Sequence, residues 1–356
     1  MATLVCFVSN SPENLELSLY PHSANFSSDT RVLILDTRST HEKNAAIAKE
    51  FNAIHVCEED FRNNVKDEFK PLFQGRYGGN RNICLYHAFK ENANAVFFDD
   101  DTTPYENPIA QYEKLFSQGK KIVVGKYLRH ASGAQQMIKE TVETACSYAD
   151  KEMAKEKAQE KLSELFSGIP AETSTVPKGM GMVGGNMGIH LEALKQYCFF
   201  PTDYRVEDGT YATLAHEFVG EEPYNAEDNP AVYHNKRPRE NALLENLENE
   251  LKGNVIALCV KDSLEENELS MDSLEDKIAR NSSLAFKAFN LDYAQYKQRQ
   301  KGILEKSREL GFEIEFAFLL SLGEKSFAPP AEEVQRKKAL FEYAQENWGR
   351  ALEETV

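Results

Sequence analysis

Four short apolar runs punctuate the first third of the chain: Thr3 to Val8 (TLVCFV), Arg31 to Leu35 (RVLIL), Ala95 to Phe98 (AVFF) and Lys121 to Val124 (KIVV). Runs this short, without polar alternation, suit strands covered on both faces, as in a parallel sheet. Ala53 to Val56 reads as a further strand. Between them lie helical patterns. Thr40 to Phe51 offers Ala45, Ala46, Ala48 and Phe51 for one face, and Asn80 or Asn82 opens a helix to about Glu91 with Ile83, Tyr86 and Phe89 inward. Strands alternating with helices predict an open α/β sheet, with ligands gathering at the carboxyl ends of its strands.

The rest of the chain reads differently. Ala134 to Phe166 is highly charged and without proline, which predicts one or two exposed helices. An irregular glycine-rich stretch follows, Lys178 to Gly188 (KGMGMVGGNMG), then helices from His190 to Gln196 and near Asp208 to Phe218. After Pro238 the composition turns to Glu, Lys, Leu and Ala, interrupted by Pro329-Pro330 before a last helix, Glu332 to Glu346. The domain boundary is expected near residue 240, giving domains 1–240 and 241–356.

Composition removes several classes. With 41 basic against 57 acidic residues the 356-residue chain carries −16, a poor match to nucleic acid, which needs a basic face. A hydrophobic fraction of 41% suits a folded globular protein. No apolar run reaches the length of a membrane span, and Met1 to Val8 has no basic leader segment, so no signal peptide is read. Cys6, Cys57, Cys84, Cys146, Cys198 and Cys259 are scattered and form no CxxC pair. They read as reduced thiols of a cytoplasmic protein.

Four constellations carry chemistry. Phe97-Phe98-Asp99-Asp100-Asp101 delivers acidic side chains to the sheet edge. In an extended segment Asp99 and Asp101 point the same way, and a hard divalent cation would relieve their repulsion. The bland alternative is an acidic turn. Gly75 to Asn82 (GRYGGNRN) pairs glycines with Arg76 and Arg81 before a helix, either an anion site or an ordinary capped loop. Gly184-Gly185-Asn186 is followed some twenty residues on by Glu207-Asp208, which are either first-turn acids favoured by the helix dipole or a general base. Tyr233 to Arg239 (YHNKRPR) is a basic knot in an acidic chain. There His234 is a candidate metal ligand and Lys236, Arg237 and Arg239 are candidate pyrophosphate clamps; otherwise it is a surface basic loop with a half-buried histidine.

The order of these motifs, LILDTRST, GGNRN, VFFDDDT, GGNMGIHLEAL, VEDGTYATLAHEFVGE and YHNK, resembles a nucleotide-sugar glycosyltransferase of the GT-A fold, most similar in layout to glycosyltransferase family 2. The resemblance spans roughly Ala2 to Lys236. It implies a mixed, mainly parallel sheet flanked by helices, with a helical C-terminal extension. It also implies a metal-dependent enzyme, a hexosyltransferase, that moves sugar from a UDP- or GDP-type donor to an acceptor hydroxyl with inversion. By the resemblance, Asp99, Asp101 and His234 hold Mn²⁺ or Mg²⁺. Asp36, Arg76, Arg81, Asn82, Asp99, Asp100 and Lys236 bind the donor. Asp208, with Glu207, is the catalytic base, and Gly184, Gly185 and Asn186 form an acceptor or lid segment. The family often has two acidic residues at the base-contacting position, where this chain has Asp36-Thr37. The absence of a Gln-x-x-Arg-Trp motif argues against a processive synthase. The alternatives are a retaining GT-A enzyme and a non-catalytic scaffold on a degenerate domain. A sugar-nucleotide pyrophosphorylase ranks lower, because SNSPENLELS after Val8 lacks that family's basic glycine-rich loop. The C-terminal helices offer an interface for a homo-oligomer.

Overall fold

The structure, a computed structural model, describes residues 1–128, 134–167, 184–202, 207–226, 228–235, 242–264, 274–280, 302, 305–324 and 328–355. The chain divides into two compact units, each discontinuous in sequence: Met1–Leu128, Thr175–Asn235 and Ala339–Val356 in one, Arg129–Ser174 and Lys236–Lys338 in the other.

The first unit is built on a six-stranded sheet of order β3-β2-β1-β4-β8-β6. Its strands are β1 (Ala2–Val8), β2 (Thr30–Asp36), β3 (Ile54–Cys57), β4 (Ala93–Asp99), β6 (Ile122–Val124) and β8 (Asn186–Ile189). Strands β1 to β4 run parallel, and β8 is antiparallel between β4 and β6. This is the mixed, mainly parallel sheet expected, with every apolar run in a strand. A second sheet of β5 (Thr102–Tyr105), β9 (Ala231–His234) and β7 (Lys126–Leu128) stands at the carboxyl end of β4. The helices of this unit are α1 (Pro12–Ser23), α2 (Arg38–Glu50), α3 (Glu58–Asn64), α4 (Lys70–Phe73), α5 (Gly78–Lys90), α6 (Pro108–Ser117), α9 (Leu191–Gln196) and α10 (Glu207–Val219). One face of the large sheet buries Val5, Phe7, Val32, Ile34, Val96 and Phe98. Helix α5 covers the other.

In the stretch after Val8, for which no element was expected, Pro12 opens α1, and Ser11 accepts a hydrogen bond from the Asn14 N–H. Helix α5 starts at Gly78, ahead of the asparagines expected to cap it. An added Cβ at Gly78 would lie 1.8 Å from the Phe200 carbonyl oxygen, so the close approach requires glycine. His22 of α1 is fully buried and stacks on Phe98 with ring centroids 4.0 Å apart; burial pushes it down to about 3, a neutral core imidazole. The C-terminal part of the last helix (Ala331–Glu354) seals this unit. Trp348 is wholly buried and its indole N–H donates to the Leu194 carbonyl at 2.6 Å.

The second unit is helical. Helices α7 (Ala134–Ala149), α8 (Lys155–Ser167) and α11 (Ala242–Leu264) contribute to clusters that include Ile138, Leu251, Val255 and Cys259, and Val142, Ala158, Leu162 and Phe316. Among the described residues no helix is long and apolar enough to cross a membrane.

Candidate active site

The carboxyl end of β4 carries Asp99, whose environment is built from four directions. Its N–H donates to the Gly185 carbonyl at 3.0 Å. Its carbonyl accepts from Ser18 and Thr102. One carboxylate oxygen accepts from the Tyr127 hydroxyl at 2.9 Å, and the other lies 3.5 Å from the Arg81 guanidinium. Burial and the neighbouring Asp99 charge push the Tyr127 phenol well up, so it remains a donor. The strand does not continue through the triplet as expected: Asp100 and Asp101 form a turn between β4 and β5. Asp100 accepts from the Ser9 hydroxyl at 2.5 Å, at the end of β1. Asp101 lies 3.3 Å from Nε2 of His234, because β5 and β9 pair with Thr102 opposite His234. The Tyr127 and His234 rings, 5.0 Å apart, complete the connection from Asp101 back to Asp99.

Arg81 ties this edge to the start of α10. It is buried over the Phe97 ring and pairs with Glu207 as well as Asp99. Asp208 is half-buried and accepts from the Gly184 N–H at 2.6 Å and the Gly209 N–H at 2.7 Å. Burial raises both acids. Glu207 is pushed up to about 7 by desolvation first and by the Asp208 charge second, with Arg81 opposing, and for Asp208 the two backbone donors work against desolvation. Gly184 and Gly185 thread between the acids: a Cβ on Gly185 would sit 2.0 Å from Asp99 and from the Tyr127 hydroxyl. Arg81 thus carries one positive charge against three carboxylates, Asp99, Glu207 and Asp208.

Asp101 and His234 offer an oxygen and a nitrogen 3.3 Å apart, but Asp99, Asp101 and His234 do not bring three ligand atoms within 4.8 Å of one another. Neighbouring ligands of an octahedral ion stand roughly 3 Å apart.

Other expected residues have different roles. Asp36 has no exposed side-chain surface; it accepts from Asn44 and contacts His41 and His55. It therefore presents nothing directly to a donor. Asn82 is buried and brackets the Leu72 and Phe199 backbone, so it fixes α5 and does not bind donor. Asn186, expected in the lid, is a buried β8 residue bonded to Tyr112, Lys126 and Pro230, a core clasp. Arg76 lies on an exposed turn before α5. Lys236, Arg237, Arg239 and residues 178–183 of the glycine-rich stretch lie outside the described residues.

Sequence reasoning missed Ser9, Tyr127, His41 and His55. For Tyr127 and Ser9 the available signal was their place just after a buried strand. Among the described residues, the group of three whose ligand atoms all lie within 4.8 Å of one another is Asp36, His41 and His55.

No family model and no curated protein matches this sequence. Among solved structures it is similar to a mannosyltransferase from Pyrobaculum calidifontis in complex with GDP-Man and Mn²⁺, at 12% identity and TM-score 0.45 over 97% of this chain and 86% of that one. It is also similar to glucosyl-3-phosphoglycerate synthase from Mycobacterium tuberculosis in complex with phosphoglyceric acid, at 18% identity and TM-score 0.39, covering 69% and 75%. Mouse xyloside xylosyltransferase 1 follows at 12% identity and TM-score 0.32, covering 63% and 77%.

Proposed function

We propose that this chain is a metal-dependent glycosyltransferase that moves a hexose from a UDP- or GDP-type donor to an acceptor hydroxyl, with inversion at the anomeric carbon. The observation that carries the reading is the continuous cluster at one sheet edge: Asp101 against His234, Tyr127 between His234 and Asp99, and Arg81 between Asp99 and Glu207 beside Asp208. In this reading Asp99, Asp101 and His234 hold Mn²⁺ or Mg²⁺, which when bound supplies Lewis-acid stabilisation of the departing diphosphate. Arg81 adds preorganised positive charge from a buried position, where it counts for more than in water. Tyr127 keeps the Asp99 carboxylate in one orientation. Asp208 takes the acceptor proton; the Gly184 and Gly209 N–H groups aim its carboxylate, and desolvation strengthens it as a base. The buried free thiols Cys6, Cys57, Cys84, Cys198 and Cys259 suit a reducing, cytoplasmic setting.

The test is release of nucleoside diphosphate from a panel of nucleotide sugars with Mn²⁺, with and without acceptor. Asp208→Asn is expected to lower transfer by about 10²–10⁴-fold while donor binding persists. Transfer within a few-fold of wild type removes Asp208 as base, and a product that retains the donor's anomeric configuration removes the inverting assignment.

A further inference from the structure

We propose that Asp36, His41 and His55 form a second metal site, taking a late first-row divalent ion of the zinc class. It lies at the carboxyl end of β2, on the far side of β1 from Asp99. The inference rests on these three side chains alone and is independent of the proposed sugar transfer.

Three elements supply the set. Asp36 ends β2, His41 lies in the first turns of α2, and His55 is the second residue of β3. Nδ1 of His41 is 2.7 Å from one carboxylate oxygen of Asp36, and Nε2 of His55 is 2.8 Å from the other. All three ligand atoms fall within 4.8 Å of one another. Around a tetrahedral zinc ion, ligand atoms stand roughly 3.3 Å apart, so the two Asp36–imidazole pairs stand close to the spacing an ion needs. Two imidazoles and one carboxylate match zinc and its neighbours better than Mg²⁺ or Mn²⁺.

Charge favours an ion here. Asp36 is buried, and it is met by two imidazoles and the neutral Asn44 amide. The His41 and His55 rings stack with centroids 3.9 Å apart. A dication compensates the buried carboxylate. The support is already in place: Asn44 Nδ2 donates to Asp36 at 2.9 Å, the kind of outer hydrogen bond that orients a ligating carboxylate. Cys57, opposite Asp36 in the β2–β3 register, donates to Glu59 and stays outside the set. His41 is the more open of the two imidazoles, its side chain 35% exposed against 14% for His55, so the fourth position lies toward its side. A bound ion would tie α2 to the edge of the sheet.

The experiment strips the full chain with chelator and titrates Co²⁺, reading the intense visible absorption of tetrahedral Co²⁺, then displaces it with Zn²⁺. Wild type and the variant Asp99→Asn/Asp101→Asn, which silences the other edge, are both expected to develop the band at one equivalent. His41→Gln and His55→Gln are expected to weaken binding by at least about 100-fold, the upper range for loss of a mere outer-shell partner. His41→Gln, at the more exposed ligand, keeps the test valid should His55→Gln fail to fold by circular dichroism. No tetrahedral band in wild type, or an unchanged band in His41→Gln, overturns the proposal. Because the readout is spectroscopic, it stands or falls separately from any transferase assay.

Discussion

Glu207 and Asp208 are adjacent carboxylates held by different means. Asp208 has two backbone donors; Glu207 has a shared arginine and deeper burial. An acid whose folded value stands near 7 against 4.5 unfolded contributes stability fully present below pH 4.5 and lost as pH rises through 7. Glu207→Gln therefore stabilises the metal-free protein at pH 8 and does little at pH 4. The gain is at most about 3 kcal/mol, since each tenfold change in proton affinity is worth about 1.4 kcal/mol. Thermal unfolding in chelator at the two pH values checks this; equal gains at both would remove desolvation as the cause. At this scale the sequence singles out Asp99, Asp101, Asp208 and His234 as candidates, because charged side chains directly beside strands or at a helix start have few structural duties. Asp36 misled for the opposite reason: its partners lie 5 and 19 residues away, and only the packing of α2 and β3 brings them to it.

At the scale of elements, β1, β2 and β4 were legible because strands buried on both faces are continuously apolar. β5, β7, β8 and β9 were not, being three or four residues long and dependent on distant partners, as in the Thr102–His234 pairing. The same distance explains why the triplet was read as extended: nothing local announces that the chain turns at Asp100 to meet β9. The Gly184-Gly185 turn is the tightest joint among these elements. Gly185→Ala forces a methyl into Asp99 and Tyr127 and is expected to cost about 1–3 kcal/mol. Urea denaturation measures it, and an unchanged midpoint would mean that the turn yields freely.

At the scale of the molecule, the helical charge pattern of 134–166 was readable, but its association was not. That segment groups with 236–338, while the chain's last residues return to the sheet unit. Long-range grouping leaves no periodic mark in either segment. The return is anchored by Trp348, the sole tryptophan, which packs near Phe73 and bonds Leu194. Trp348→Ala is expected to destabilise the sheet unit by about 3–5 kcal/mol, seen by circular dichroism in urea; a loss under about 1 kcal/mol, well below that range, would show that the helix end is dispensable.

The proposed grip on a nucleotide through a cation at the sheet edge makes one binding demand. Calorimetry of UDP and GDP with the full chain should give saturable binding in Mn²⁺, little in chelator, and none in Asp101→Ala even with Mn²⁺ present. Equal affinity for either nucleotide with and without Mn²⁺, or undiminished binding by Asp101→Ala, would contradict the account at its centre.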